Sequence, residues 1–181
     1  MLTTKKLSKE NENKKHAECL YLTAFPAIER HPLNELYEGC EKGNCEWLLF
    51  TDQNKFIGMA YMILHDDIAF LLYLAVDDPQ RNKGYGTKIL TTLNELYKGK
   101  ELILLIESLR EKCDNKEIRI RRKGFYLRNG LHDTQYVQPC ENGTVLYDIL
   151  STNTTFDVNH YMNFVHNYPL PTTMGEAFKA Q

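Results

Sequence analysis

The stretch Val76-Asp77-Asp78-Pro79-Gln80-Arg81-Asn82-Lys83-Gly84-Tyr85-Gly86-Thr87-Lys88-Ile89-Leu90 decides how this chain is read, because an extended apolar run ends there in a glycine-punctuated turn that opens into an amphipathic helix. The first amide N–H groups of a helix lack intrahelical partners and carry partial positive charge, so such a turn is a ready site for an anion such as a phosphate. Gly84 and Gly86 let a ligand approach the main chain closely. Two familiar nucleotide loops do not fit. The phosphate loop of NTPases requires Gly-x-x-x-x-Gly-Lys-Ser/Thr, whereas Thr87-Lys88 follow Gly86 in the wrong order and without the upstream glycine. A dinucleotide fingerprint requires three glycines after the first strand of a βαβ unit, and here two stand in mid-chain.

Reading outward from the turn predicts a mixed α/β chain. Residues 47–51, 56–65 and 68–76 form three extended segments separated by the turn formers Asp52-Gln53-Asn54 and Asp66-Asp67, an antiparallel meander. Beyond the turn, Ile89, Leu90, Leu93, Leu96 and Tyr97 recur at helical spacing up to Gly99. The unbroken aliphatic run 102–106 has the pattern of a strand buried on both faces and parallel to the strand before it. A helix over 116–129 stops at Asn129-Gly130, and 135–139 with 144–150 reads as a hairpin turning on Glu141-Asn142-Gly143. Upstream lie a short strand near 2–7 and a helix from about 12 to 25 that carries Ala17, Leu20, Tyr21 and Ala24 on one face. A linker bracketed by Pro26 and Pro32 follows, then a short helix ending at Gly39 or Gly43. The tail after Ser151 is polar with a weak helical stretch near 158–165.

At 181 residues and 43% hydrophobic content the chain can bury a sizeable core, and a net charge of −2 gives no basic excess to attract nucleic acid. The arginine-rich segment 119–128 is the one basic patch, and an isolated patch of this kind reads first as a solvated helix face. Five scattered cysteines, Cys19, Cys40, Cys45, Cys113 and Cys140, and a polar segment 1–15 without an apolar signal core predict a reduced, cytoplasmic protein. Cys40 and Cys45 are too widely spaced for a C-x-x-C metal knuckle, so no metal site is expected. No apolar run reaches membrane-spanning length.

The motif Arg81-x-x-Gly84-x-Gly86 resembles the pyrophosphate-binding signature of the GCN5-related N-acetyltransferases (GNAT). The segment Arg121-Arg122-Lys123-Gly124-Phe125-Tyr126-Leu127-Arg128-Asn129-Gly130-Leu131 is similar to the family's helix ending in Phe-Tyr-x-x-x-Gly-Phe, with Leu131 in place of the last aromatic. The order strand, glycine turn, helix, buried strand, helix, hairpin matches the family from about residue 2 to 150. The resemblance implies the acyl-CoA N-acyltransferase fold, a central, mostly antiparallel sheet with one parallel pair flanked by helices. It implies a single acetyltransferase domain over 1–150 and an extension, 151–181, packed on it or at a homodimer contact. Tyr161, Phe164 and Tyr168 in that extension either roof the acceptor pocket or pack on their own domain.

What the resemblance implies chemically is transfer of an acetyl group from acetyl-CoA to a primary amine of a small molecule or peptide. Leu74, Ala75 and Val76 would pair with the pantetheine arm. The amides of Arg81, Asn82, Lys83, Gly84, Tyr85, Gly86 and Thr87 would hold the diphosphate, with Arg81 and Lys83 adding charge or simply facing solvent. Tyr126 matches the family tyrosine that serves the departing thiolate, and otherwise reads as a packed aromatic beside Phe125. Two departures stand out. Where the histone-acetylating branch has a glutamate on the fourth strand this chain has Phe70, and a common helix asparagine is Arg119, with Asn115 one turn early. Glu29 and Glu107 are therefore the acidic candidates on the acceptor side, as bases through water, as anchors for a cationic amine, or as ion-paired surface groups. A catalytically silent acyl-CoA-binding module is the alternative. The acceptor itself stays open.

Overall fold

The computed structural model describes residues 2–8, 10–110, 114–140 and 143–180. Cys113 and the Glu141-Asn142 part of the hairpin turn lie outside the described residues. The chain forms two compact units, Met1–Leu64 with Leu71–Lys98, and His65–Phe70 with Gly99–Gln181. Among the described residues no helix is long and apolar enough to cross a membrane.

The first unit contains β1 (Thr3–Lys6), α1 (Lys14–Ala24), a 3₁₀ turn at Ala27–Glu29, α2 (Leu33–Glu41), β2 (Cys45–Asp52) and β3 (Lys55–His65, of which His65 is counted in the second unit). The larger part of β4 (Ile68–Val76), a second 3₁₀ turn at Asp78–Gln80 and α3 (Tyr85–Leu96) complete it. Strands β1, β2 and β3 pair antiparallel, from Thr3↔Thr51 and from Cys45↔Ile63 to Asp52↔Lys55. Gln53 and Asn54, both in the left-handed region at φ 49° and 62°, close the β2–β3 hairpin, as the polar turn residues predict. Strand β3 is buried from Phe56 to Ile63, the mark of a strand covered on both faces. Ala17, Leu20 and Tyr21 of α1, Leu36 of α2, and Ile89, Leu90 and Leu93 of α3 supply buried helix faces, each large aliphatic contributing about 2 kcal/mol.

The end of β4 is placed by Gly58. The Asp77 amide donates to the Ile57 carbonyl at 2.9 Å, and a Cβ on Gly58 would collide with the Ala75 carbonyl. Backbone approaches backbone too closely there for any side chain.

The second unit takes the first residues of β4 and adds β5 (Glu101–Glu107), α4 (Lys116–Arg128), β6 (His132–Cys140), β7 (Val145–Ser151), α5 (Val158–His166) and β8 (Phe178–Lys179). Its strand order is β4-β5-β7-β6-β8. Ile68–Phe70 run parallel to Glu101–Ile103, the parallel pair expected from the aliphatic run, and every other pairing described is antiparallel. The tail is better packed than its composition suggested: Asp157 caps α5 by accepting from the amides of Asn159 and His160, and Phe164 stacks on Phe70 with ring centres 5.1 Å apart. Strand β8, which the sequence reading did not foresee, pairs Phe178 with Val137 and Lys179 with Tyr136.

Helix α4 buries no residue fully and docks through charge. Arg119 and Arg122 reach Glu107 at 2.8 and 2.9 Å, while Lys123 bridges Asp133 at 2.6 Å and the buried Asp148 at 2.7 Å, which also accepts from the Ser108 hydroxyl. Burial alone would lower the Lys123 pKa, but its bonds to Asp133 and Asp148 outweigh that and hold it above the ordinary lysine value. Because the folded value is raised, the lysine's contribution is complete below about pH 10 and is lost only as pH rises through the folded value.

Two stability predictions follow from these contacts. Gly58→Ala should destabilise the fold by about 2 kcal/mol, a thermal-melt shift of roughly 4–8 °C, whereas an unchanged midpoint would show that β4 can retreat freely. Lys123→Met should cost about 3 kcal/mol in a urea melt by leaving Asp148 charged and buried, and adding Asp148→Asn should recover part of that loss.

Candidate active site

Strand β4 delivers Leu74, Ala75 and Val76 to the start of the glycine turn, with Ala75 buried and its two neighbours half-buried. The chain then turns through Asp78–Gln80, passes Asn82 at φ 62° and reaches Gly84 at φ 76°, which occupies the N-cap position of α3. A left-handed N-cap suits glycine, and glycine brings no side-chain oxygen to cap the helix. The first turn of α3 contains no acid either. The first bond into the helix is from the Lys88 amide to the Gly84 carbonyl at 3.2 Å. Among the described residues, no protein acceptor is paired with the amides of Asn82, Lys83, Gly84, Tyr85, Gly86 and Thr87. Successive free donors at a helix start form an anion cradle.

One expected member of the run is turned away from it. The Arg81 amide donates to the Asp78 carbonyl at 3.2 Å, so the free donors begin at Asn82. The Arg81 side chain donates to the Val76 carbonyl at 3.2 Å and pairs with the Asp78 carboxylate at 2.8 Å, while Lys83 donates to Gln80 at 3.2 Å. Both cations are exposed and braced within the turn.

Two contacts hold the cradle from outside the motif. Asp77, at the end of β4, meets His16 of α1 at 3.1 Å, and Tyr85, the first residue of α3, donates to Asp52 at 3.1 Å. That hydrogen bond to a carboxylate holds the Tyr85 phenol above its ordinary pKa. Neither pair was legible in the sequence, because each joins residues far apart in the chain. The sequence shows Asp77 just before the motif, but nothing beside Tyr85 points to Asp52.

The linker that carries Glu29 is pinned to β4 by tyrosines. Tyr73 donates to the Glu29 carbonyl at 2.7 Å and accepts from the His31 amide at 3.1 Å, and Tyr21 donates to the His31 carbonyl at 2.8 Å. Burial pushes both phenols up, so they remain donors. Tyr73 immediately precedes Leu74, and the bond from its hydroxyl fixes the backbone of half-buried Glu29 to the same stretch of strand. Phe25 packs on Tyr73 with ring centres 4.8 Å apart, closing the linker over the strand.

Glu107 and Tyr126 belong to the second unit. Glu107 is held by both Arg119 and Arg122, and Arg119 also donates to Asn115 at 2.8 Å and to the Ser108 carbonyl at 2.8 Å. The arginine run of α4 is therefore partly structural rather than a wholly solvated face. Tyr126 packs edge-on against Phe125 with ring centres 5.2 Å apart, and desolvation pushes its phenol up to about 12. Among the described residues no group accepts from or donates to that hydroxyl.

Residues 43–131 match the family model described as an acetyltransferase (GNAT) domain, a span from just before β2 to just before β6 that contains the cradle and Tyr126. No protein of curated function matches the sequence significantly. Among solved structures, a protein from Bacteroides thetaiotaomicron assigned to the GNAT family is 25% identical, covers 91% of this chain and 94% of its own, and superposes with a TM-score of 0.75. A Bacillus subtilis acetyltransferase in complex with CoA is 14% identical over 86% of this chain and 100% of its own, with a TM-score of 0.62. Spermidine N-acetyltransferase from Vibrio cholerae, in complex with CoA and spermine, is 13% identical over 83% and 94%, with a TM-score of 0.63. The last two share the fold with this chain, while the domain match and the Bacteroides protein go further: residues 43–131 carry a GNAT acetyltransferase domain.

Proposed function

We propose that the protein moves an acetyl group from acetyl-CoA directly to a primary amine of a small molecule or peptide, with the cofactor's diphosphate on the amides of Asn82 to Thr87. The unpaired donors at the start of α3 carry this reading, since they form an anion site without any dedicated side chain. Leu74, Ala75 and Val76 offer main-chain groups to the pantetheine arm. Arg81 and Lys83 add positive charge at the rim.

Acetyl transfer needs a neutral amine, a polarised thioester carbonyl and a donor for the departing sulfur. The nitrogen lone pair attacks the carbonyl carbon, the tetrahedral intermediate collapses with cleavage of the C–S bond, and the amine's proton leaves for a base. Tyr126 is assigned to the sulfur: its raised pKa keeps the phenol protonated at neutral pH, ready to donate to the developing thiolate. Glu29 is assigned to the acceptor side, as a base through water or an anchor for a cationic amine, because Tyr73 fixes its backbone to the strand. Glu107, committed to two arginines, takes the lesser part in this reading: it orients α4, with a base role only where those pairs open. A reducing bacterial cytoplasm suits the free thiols of Cys19, Cys40, Cys45 and Cys140.

Phe70 supports a second reading, a silent acyl-CoA-binding module, because it fills the position of the family's strand glutamate and is buried against Phe164. Release of free thiol from acetyl-CoA across an amine panel separates the two. An enzyme releases thiol with at least one amine, whereas a binding module is protected thermally by CoA and releases none. Tyr126→Phe should lower kcat roughly tenfold or more with little change in the KM for acetyl-CoA, and Glu29→Gln should act on the acceptor's kinetics. Turnover unaffected by both substitutions would overturn these residue assignments.

A further inference from the structure

The cradle carries an electrostatic contradiction. Two consecutive carboxylates, Asp77 and Asp78, stand at the mouth of a turn whose free amides are to hold a doubly charged diphosphate. Exposed charges act on one another over about 8 Å at physiological salt, a reach comparable with such a turn. Asp78 is neutralised from within the turn by Arg81 at 2.8 Å. Among the described residues Asp77 has no cation within the turn: the side chain that reaches it is His16, from α1, at 3.1 Å.

The geometry around this pair is that of a fixed support rather than a chance surface contact. The His16 ring lies against Phe56 of β3 with centres 4.4 Å apart, which sets its orientation. The Asp77 side chain is 15% exposed, its amide is bonded to Ile57, and its carbonyl accepts from Gln80 at 2.8 Å. The Asp77 main chain is therefore fixed at the turn, and His16 is the side chain that meets its carboxylate.

We infer that His16 is a positioning residue of the cofactor site, whose contact with Asp77 ties up that carboxylate so that the cradle accepts the diphosphate. The inference rests on the functional reading above. It concerns a residue outside the glycine motif and outside the matched span of 43–131.

The test compares His16→Ala, His16→Lys, Asp77→Asn and the double variant His16→Ala/Asp77→Asn. It reads kcat and KM for acetyl-CoA and, independently of turnover, CoA affinity by calorimetry. His16→Ala should weaken CoA binding and raise the KM about threefold with kcat unchanged, an effect that shrinks at high salt. His16→Lys, which sets a donor on a longer stem against Asp77, should restore part of the affinity. The double variant should return close to wild type, since no carboxylate remains beside the cradle to be tied up. That recovery also serves if His16→Ala alone folds poorly, and a purely mechanical tether would not show it. CoA affinity unchanged in His16→Ala, or equally damaged in the double variant, would overturn the role of His16 alone. Failure of the wild-type chain to bind CoA would overturn the functional reading and this inference with it.

Discussion

Successive main-chain N–H groups left unpaired at the start of α3 are the feature on which the rest of this site depends. Gly84 creates it: a left-handed residue at the N-cap turns the chain into the helix without offering an oxygen of its own, and the first intrahelical bond waits until Lys88. A serine or aspartate there would have satisfied the donors and closed the site. The missing cap costs stability, which the buried face of Ile89, Leu90 and Leu93 offsets by several kcal/mol. The start of α3 is a local defect that packing elsewhere makes tolerable.

The surroundings keep that defect in place. Behind it, Gly58 lets β3 and β4 approach until the Asp77 amide reaches Ile57. At its two ends, His16 and Asp52 clasp Asp77 and Tyr85. Ahead of it, Tyr73 and Tyr21 hold the Glu29 linker by its backbone. In the second unit the logic differs. There α4 is fixed by ion pairs to Glu107, Asp133 and Asp148 instead of an apolar stripe, which places charged groups along the helix that bears Tyr126.

The fold was largely legible, because its elements follow from short-range patterns. The aliphatic run at Leu102–Ile106 announced a strand buried on both faces, and β5 is that strand, parallel to β4. The spacing of Ile89, Leu90 and Leu93 announced α3. What escaped were features that depend on partners distant in sequence. Strand β8 is two residues long, too short for any period to show, and exists because β6 offers Tyr136 and Val137 as partners. Helix α5 was legible as a helix but read as weak, since its polar neighbours hid the burial of Tyr161, Phe164 and Val165. Within the site, the motif located the cradle, while the inward turn of the Arg81 amide and the clasp from His16 could be seen only once the chain was folded.

The central claim is that the main chain of residues 82–87 grips a diphosphate, and backbone amide shifts measured by NMR during titration report on it directly. Addition of CoA should move the amide resonances of Asn82, Lys83, Gly84, Tyr85, Gly86 and Thr87, while pantetheine, which lacks the diphosphate, should leave them in place. Saturation with CoA that leaves those amides unmoved would contradict the account.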